Sequence, residues 1–572
     1  LPPQVVREHH GRLARVLEAT PGADPEAVAV HLLGAGEAER GARFAERAAK
    51  QASKQLALDQ AARLYRLTIE NLPPTSPKVP RMRRRLAEVL GWAGRSEEAG
   101  RAYLAAAGEA PRGERFELER SASEQLLAAG RIDEGAQVLR RLLANAGVKT
   151  PLSPLTAVFW LVVYKVRLKL LGLKFVERSA EQVRPEDHAR LGAMNVGALG
   201  LASVDTVLAA CMQARQMVEA LRAGDRSEVL RAAIIYAIHL ATRGGVPDKH
   251  ERVLHQVIDR LVEARASAEE LAYTRGTGGV GIFLRGKWRE ALETIDKAYA
   301  KLPNHVAGWQ TQASLYAVYA LVFLGDLVEA RRRHARCLAD AEQRGDLFTS
   351  VQLRASHPTV LLLAADDPES ARRQTREARQ QWTHTKFLTQ HWQFMRSDAE
   401  IELYAGNGAK AYERLQEDEA SLRKSFLLNV QFMRALTFYV RGRAAIASMD
   451  GNAAIRSARL AEARQLAGKL EREGMPWTRP LAAILTASAA NADGDRAKAL
   501  VSLETAARTA READMALYAA AARYQLGRLV GGKQGAQWVE EADEILRVQE
   551  IRAPERFAAM LVPGPWVAPD AT

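Results

Sequence analysis

Along most of the chain, small and apolar residues recur every three or four positions, the period of an amphipathic helix. Between residues 494 and 512, Ala499, Leu500, Leu503, Ala506, Ala507 and Ala510 line one side, and Arg496, Lys498, Glu504, Arg508 and Arg511 line the other. Between 37 and 71 the stripe is Ala38, Ala42, Ala45, Ala48, Ala49 and Ala52, followed by Ala61, Leu64, Tyr65 and Ile69 on the next segment. Side chains this small let two helix backbones approach, so the pattern predicts a tightly packed hairpin. Helices are predicted over 5–18, 25–33, 37–54 and 58–71, with Asp24 as N-cap and Pro25 in the first turn.

The turn inside the hairpin recurs. A glycine and a polar residue are followed, five places after the glycine, by alanine: Gly94-Arg95 to Ala99, Gly286-Lys287 to Ala291, Gly325-Asp326 to Ala330, Gly406-Asn407 to Ala411 and Gly494-Asp495 to Ala499. Glycine adopts the left-handed conformation that ends one helix, and alanine lets the next pack close. With Gly244-Gly245 and Asp366-Asp367-Pro368 as degenerate copies, markers fall at 245, 286, 325, 366, 406, 451 and 494, intervals of about 40 residues against the roughly 34 of tetratricopeptide repeats. Gly130-Arg131 follows Gly94 by 36. The predicted fold is all-α, a tetratricopeptide-like right-handed helical-hairpin solenoid (α-α superhelix).

Thr150-Pro151-Leu152-Ser153-Pro154 interrupts the array, since helices do not cross such a segment. The expected organisation is an N-terminal helical-repeat segment over 1–150, a Pro-bounded apolar and basic connector over 151–184, a tetratricopeptide-like array over 185–550, and a C-terminal helix and loose tail over 551–572. In the connector, Val158, Phe159, Trp160, Leu161, Val162, Val163 and Tyr164 run into Lys165, Arg167 and Lys169. Its uncharged part, 150–164, falls short of the roughly 20 residues of a spanning helix. A buried connector or a docking face for another domain is expected. Membrane contact through 155–175 is the alternative, weighed down by basic residues that do not gather on one helical face.

The formal charge of +13 admits nucleic acid, anionic lipid or acidic protein as partner. Basic clusters stand at Arg81 to Arg85, at Arg331 to Arg336, and at Arg372, Arg373, Arg376 and Arg379. No stacking aromatics are interleaved with them, so they read as solvated outer helix faces. The two cysteines, Cys211 and Cys337, form no metal or disulfide framework. Cys337 falls at helical spacing with Leu327, Ala330, His334 and Ala341 and reads as a small core residue in a reducing cytoplasm.

Catalytic motifs are missing from the sequence. Gly276, Gly278 and Gly281 satisfy G-x-G-x-x-G, but a helical segment precedes them instead of a strand, which favours close helix packing. Gly531-Gly532-Lys533 continues into Gln534, a helix end rather than a Walker loop. No kinase H-R-D or D-F-G motif, G-x-S-x-G elbow or H-E-x-x-H pair occurs. His9-His10, and His384 with His391, lack a third ligand in sequence, and no catalytic, cofactor or metal residue is assigned. The candidate partner-binding residues are Trp288, Trp309, Trp382, Phe387, His391, Trp392 and Phe394. Aromatics concentrate binding energy along the groove of a solenoid's concave face, the alternative being that they fill gaps between helices.

The stretch from His31-Leu32 through Gly36-Glu37, Arg40, Ala45, Ala48-Ala49, Ala61 and Leu64-Tyr65 resembles the helical repeats that follow the ATPase module of bacterial STAND-type signalling proteins. Further phrases are Leu170-Leu171-Gly172-Leu173-Lys174-Phe175, Leu221-Arg222-Ala223-Gly224, Leu363-Ala364-Ala365-Asp366-Asp367-Pro368, Leu403-Tyr404-Ala405-Gly406, Met475-Pro476-Trp477, 514–523 and Ile551-Arg552-Ala553-Pro554-Glu555-Arg556. With them the chain resembles the C-terminal region of bacterial serine/threonine-protein kinases that carry a predicted STAND-type ATPase. The resemblance implies a non-catalytic part of such a kinase, with ATP and Mg bound only by modules upstream of Leu1. The chain begins with Leu1 rather than Met, in line with a segment of a longer polypeptide. The expected role is a cytoplasmic, regulatory protein-protein interaction solenoid whose partner is a protein or its own kinase and ATPase modules. The sensor region of a STAND-type transcriptional regulator and a nucleic-acid-binding basic solenoid are the alternatives.

Overall fold

The computed structural model describes residues 2–151, 153–201, 205–265, 267–299, 308–355, 357–449 and 452–567. Among them the secondary structure is α-helical, with two 3-10 turns at Ala180–Gln182 and Leu427–Asn429 and no strand. Helices Pro3–Ala19, Pro25–Gly34, Ala38–Lys54 and Leu58–Asn71 stand where the apolar spacing places them. Asp24 caps the second by accepting the Glu26 N–H. The chain is a helical-repeat solenoid of stacked hairpins.

One turn chemistry joins the hairpins. Gly94, Gly286, Gly325, Gly406 and Gly494 all have positive φ, and the alanine five places on is buried each time. The residue after the glycine donates its N–H back across the helix end, Arg95 to the Leu90 carbonyl and Asp495 to the Ala490 carbonyl, which satisfies carbonyls the helix leaves open. Asp366 takes the same conformation at φ 54°, so the degenerate copy is a real one. Leu56 and Asp514 do so too, each followed at the same offset by Ala61 and Ala519. The marker at 451 lies outside the described residues. Gly276, Gly278 and Gly281 lie within helix Ala268–Leu284, and a β-carbon at the neighbouring Gly279 would press on Ile295, as close helix packing requires.

The chain divides into two compact units, one of 1–150 with 188–200 and 341–348, the other of 151–187, 201–340 and 349–572. In the first, the hairpins of 1–150 stack on their sequence neighbours. Ala48, Ala49 and Ala52 meet Ala61, Leu64 and Tyr65, which pass the core on to Met82, Leu86 and Val89.

The second unit departs from nearest-neighbour stacking. Gly244 abuts Gln431, Gly286 abuts Trp477, and Gly325 abuts Ala516 and Leu517. Arg556 pairs with Asp366 across 190 residues at 2.7 Å. These four turns, at 244, 286, 325 and 366, thus rest on the segment about 190 residues later, an interval of between four and five hairpins at the roughly 40-residue period. Further bonds secure the return. Gln549 accepts the Leu327 N–H at 2.9 Å, Arg289 reaches Asp514 at 3.0 Å, and Arg552 donates its N–H to the Ala364 carbonyl at 2.9 Å. The result is one continuous apolar core from Ala241 to Trp566.

In the stretch 551–572, expected as a helix and loose tail, residues 562–566 pack on the chain. Pro563-Gly564-Pro565 turns the chain so that Trp566 is buried, donating Nε1–H to the Val562 carbonyl at 2.9 Å. Asn491 also binds the Pro565 carbonyl at 3.0 Å. Residues 568–572 lie outside the described residues.

Candidate functional site

The aromatic candidates separate into distinct surroundings. Trp288 is buried in an aromatic cluster, stacked on Phe323 with centroids 4.4 Å apart and near Phe283, Phe432 and Trp477. These rings come from five helices or turns of the second unit, and the Gly286 turn opens directly onto them. Trp392 is also buried, donating Nε1–H to Thr437 Oγ1 at 2.8 Å with the Arg396 guanidinium 5.0 Å from its ring. The side chain of Trp309 lies outside the described residues.

Phe387, His391 and Phe394 form a second group. Phe387 is half-buried and its ring lies 5.6 Å from His391, which lies 6.2 Å from buried Phe394. His391 Nδ1 accepts the Leu388 N–H at 3.1 Å, so its Nε2 carries the proton and faces the His384 carbonyl at 3.1 Å. Both nitrogens therefore shape the loop before helix Thr389–Tyr404. Trp382 is buried at the end of helix Pro368–Gln381, its ring stacked beside His384. Except for half-buried Phe387 and His391, the candidates with described side chains are buried against this chain's own helices.

Sequence reasoning missed a buried ionic cluster beside Trp392. Arg443 is 1% exposed, bonded to Glu400 Oε1 at 2.5 Å and to the Met560 carbonyl at 2.9 Å. Arg396, one turn before Glu400, lies 3.6 Å from the same carboxylate oxygen. Burial alone would raise the Glu400 pKa, but Arg443 and Arg396 outweigh it and hold the carboxylate below its ordinary range. Tyr439 lies under the Arg443 guanidinium and donates its hydroxyl to the Leu561 carbonyl at 2.6 Å. The only sequence signals were Arg396/Glu400 and Tyr439/Arg443 at i,i+4.

The basic clusters are largely spent within the chain. Arg84 and Arg85 both pair with Glu88, Arg83 with Glu109, and Arg81 with Glu46. Arg331 reaches Glu550, Arg332 binds Glu329, and Arg333 binds Asp296. Arg372 meets Glu402, and Arg379 meets Asp398. Large apolar side chains are also exposed among the described residues. Trp92 is 55% exposed at the end of helix Val79–Trp92 in the first unit, and helix Pro154–Leu171 in the second carries a row of exposed apolar residues. In the apolar run 158–164, Val158, Phe159, Trp160 and Val162 are exposed and Leu161, Val163 and Tyr164 half-buried. No helix among the described residues is long and apolar enough to cross a membrane.

No protein-family model and no curated protein sequence matches the chain. Among solved structures, yeast Tom70 is similar at 12% identity over 90% of this chain and 97% of that one, with a TM-score of 0.31. A circular tandem repeat protein with novel repeat topology and enhanced subunit contact surfaces is similar at 14% identity over 96% of each chain, with a TM-score of 0.11. At these TM-scores neither likeness carries an argument, and the helical-repeat assignment rests on the hairpins themselves.

Proposed function

We propose that this chain is a non-catalytic, regulatory protein-interaction region of a signalling protein, namely a bacterial serine/threonine-protein kinase with a STAND-type ATPase. The kinase context rests on the sequence phrases given above. The interaction role rests on the first unit, where the hairpins of 1–150 stack on their sequence neighbours and Trp92 stands 55% exposed at a hairpin turn. An open stack offers a continuous surface to a partner, and an exposed tryptophan is the side chain that most often anchors such contacts. Partner occupancy would then favour one of two states of the parent's catalytic modules.

The test adds this region in trans to the parent's catalytic fragment and measures binding and phosphorylation together. Binding weakened about tenfold or more by Trp92→Ala, with a change in phosphorylation on binding, supports the reading. No binding and no change in phosphorylation overturns it. Parent modules that bind DNA instead would replace it with the transcriptional-regulator reading.

A further inference from the structure

We propose that helix Pro154–Leu171 docks the second unit, in plane, onto an anionic phospholipid surface. One side of the helix is committed to the protein: Ala157, Leu161, Tyr164 and Leu168 face inward, with Ala157, Leu161 and Tyr164 packed beside Val207 and Cys211 of helix Thr206–Ala223. The opposite side is apolar and open. Leu155 is 82% exposed, Phe159 61% and Leu170 81%, and Val162 and Val166 between them are more than half exposed. These five positions fall at i, i+4, i+7, i+11 and i+15, a stripe about 22 Å long at 1.5 Å per residue. Exposed Val158 and Trp160 widen it, and Trp160 stacks with Tyr164 at 5.9 Å.

The charges border the stripe. At 100° per residue, Lys165 and Lys169 lie along one edge and Arg167 along the other. Basic residues need not gather opposite the apolar face, because that face is already packed on the protein. At the edges their apolar stems lie along the stripe while their charged heads reach phosphates. Arg243 adds a further cation beside Lys165, and burial together with Arg243 and Lys169 lowers the Lys165 pKa to about 8. Asp248 is the carboxylate near Lys169. No acidic residue occurs in the sequence between Lys149 and Glu177.

That combination selects the occupant. A second copy of the helix would set cations against cations along both edges. A bilayer surface supplies acyl chains for the stripe, phosphates for the lysines and arginine, and the headgroup level at which Trp and Tyr reside. The depth is that of an interfacial helix, which a span of 18 residues suits without crossing.

The experiment floats the whole chain with phosphatidylcholine vesicles, with and without phosphatidylglycerol. Flotation is expected with the anionic vesicles and to weaken with salt. The triple variant Phe159→Ser, Val166→Ser, Leu170→Ser is expected to lose it by about tenfold or more, since each side chain removes apolar area from the lipid contact. Arg167→Gln with Lys169→Gln is expected to weaken anionic binding and leave neutral vesicles unaffected. All five substituted positions lie on the outer side or its edges, so circular dichroism and the urea midpoint should match the parent and separate lost docking from lost folding. Failure of the parent chain to float overturns the proposal. So does flotation that the triple variant leaves intact, or a dimer that the triple variant abolishes in a chain that never floats.

Discussion

Gly286 is seated against the indole of Trp477, and a β-carbon on it would overlap that ring. Its φ of 74° adds a second demand for glycine. Gly494 has the same conformation at φ 84° with nothing within 4 Å of where its β-carbon would stand. The two positions separate backbone strain from the packing of the superhelical return. Gly494→Ala should cost about 1 kcal/mol, the penalty of a left-handed alanine. Gly286→Ala should cost about 2–4 kcal/mol, because overpacking adds to it. Urea titration of the two variants measures the difference, and equal losses would mean that Trp477 yields freely.

Glu400 faces two guanidinia inside the core. Glu400→Gln should destabilise the second unit by about 3–5 kcal/mol, the usual result of removing one member of a buried ionic group. Arg443→Met should cost less, since Arg396 remains beside Glu400 and the methionine fills apolar space. Because the Glu400 pKa is lowered in the folded state, its contribution is complete above the unfolded value near 4.3 and declines as pH falls through the folded one. Calorimetric melting from pH 6 down to pH 3 should show the parent losing more than Glu400→Gln.

Two buried histidines give a second acid dependence. Burial, reinforced by Lys165 and Arg243, lowers the His239 pKa to about 3, and burial with Arg396 nearby holds His357 well below its ordinary value. The unfolded chain takes up these protons near pH 6.5 and the folded chain does not, so stability falls as pH drops below 6.5. Between pH 7.5 and 5 His239 should contribute about 2 kcal/mol of that loss, and His357 adds to it in the same direction. In His239→Gln, urea midpoints at the two pH values should lie closer together by its share.

Trp392 and Phe387, both candidates for partner contact, should behave differently on truncation. Trp392→Ala empties a buried site and removes the indole's bond to Thr437, at a cost of about 3–5 kcal/mol. Phe387→Ala, at a half-buried position in a loop, should cost under about 2 kcal/mol. Tryptophan fluorescence during denaturation reports both, and a fully stable Trp392→Ala would contradict its core placement.

Local rules made the hairpins legible. Helical periodicity placed the first four helices, and the glycine turn located Gly94, Gly286, Gly325, Gly406 and Gly494. Asp366 could be admitted because aspartate tolerates left-handed backbone, whereas Leu56 at φ 61° carries no such signal. The partners of those turns were illegible. Nothing in a 40-residue pattern pairs Gly286 with Trp477 or Arg443 with the Met560 carbonyl, because such contacts depend on how the array winds. That winding also turned Trp288 from a groove candidate into a ring packed on Phe323. The run 158–164 was conspicuous, but a stretch apolar all round does not say which side a neighbouring helix covers.

The return of the second unit onto itself fixes its repeat number. Arrays of this kind ordinarily grow and shrink by whole-hairpin duplication, because a new unit meets only two neighbours. Here an inserted hairpin between 366 and 477 would move Trp477 out of reach of Gly286 and separate Asp366 from Arg556. The second unit has the modular look of a repeat protein and the indivisibility of a globular one. Lineages of this fold should hold the number of hairpins constant between the turns that meet, from 366 to 477 above all.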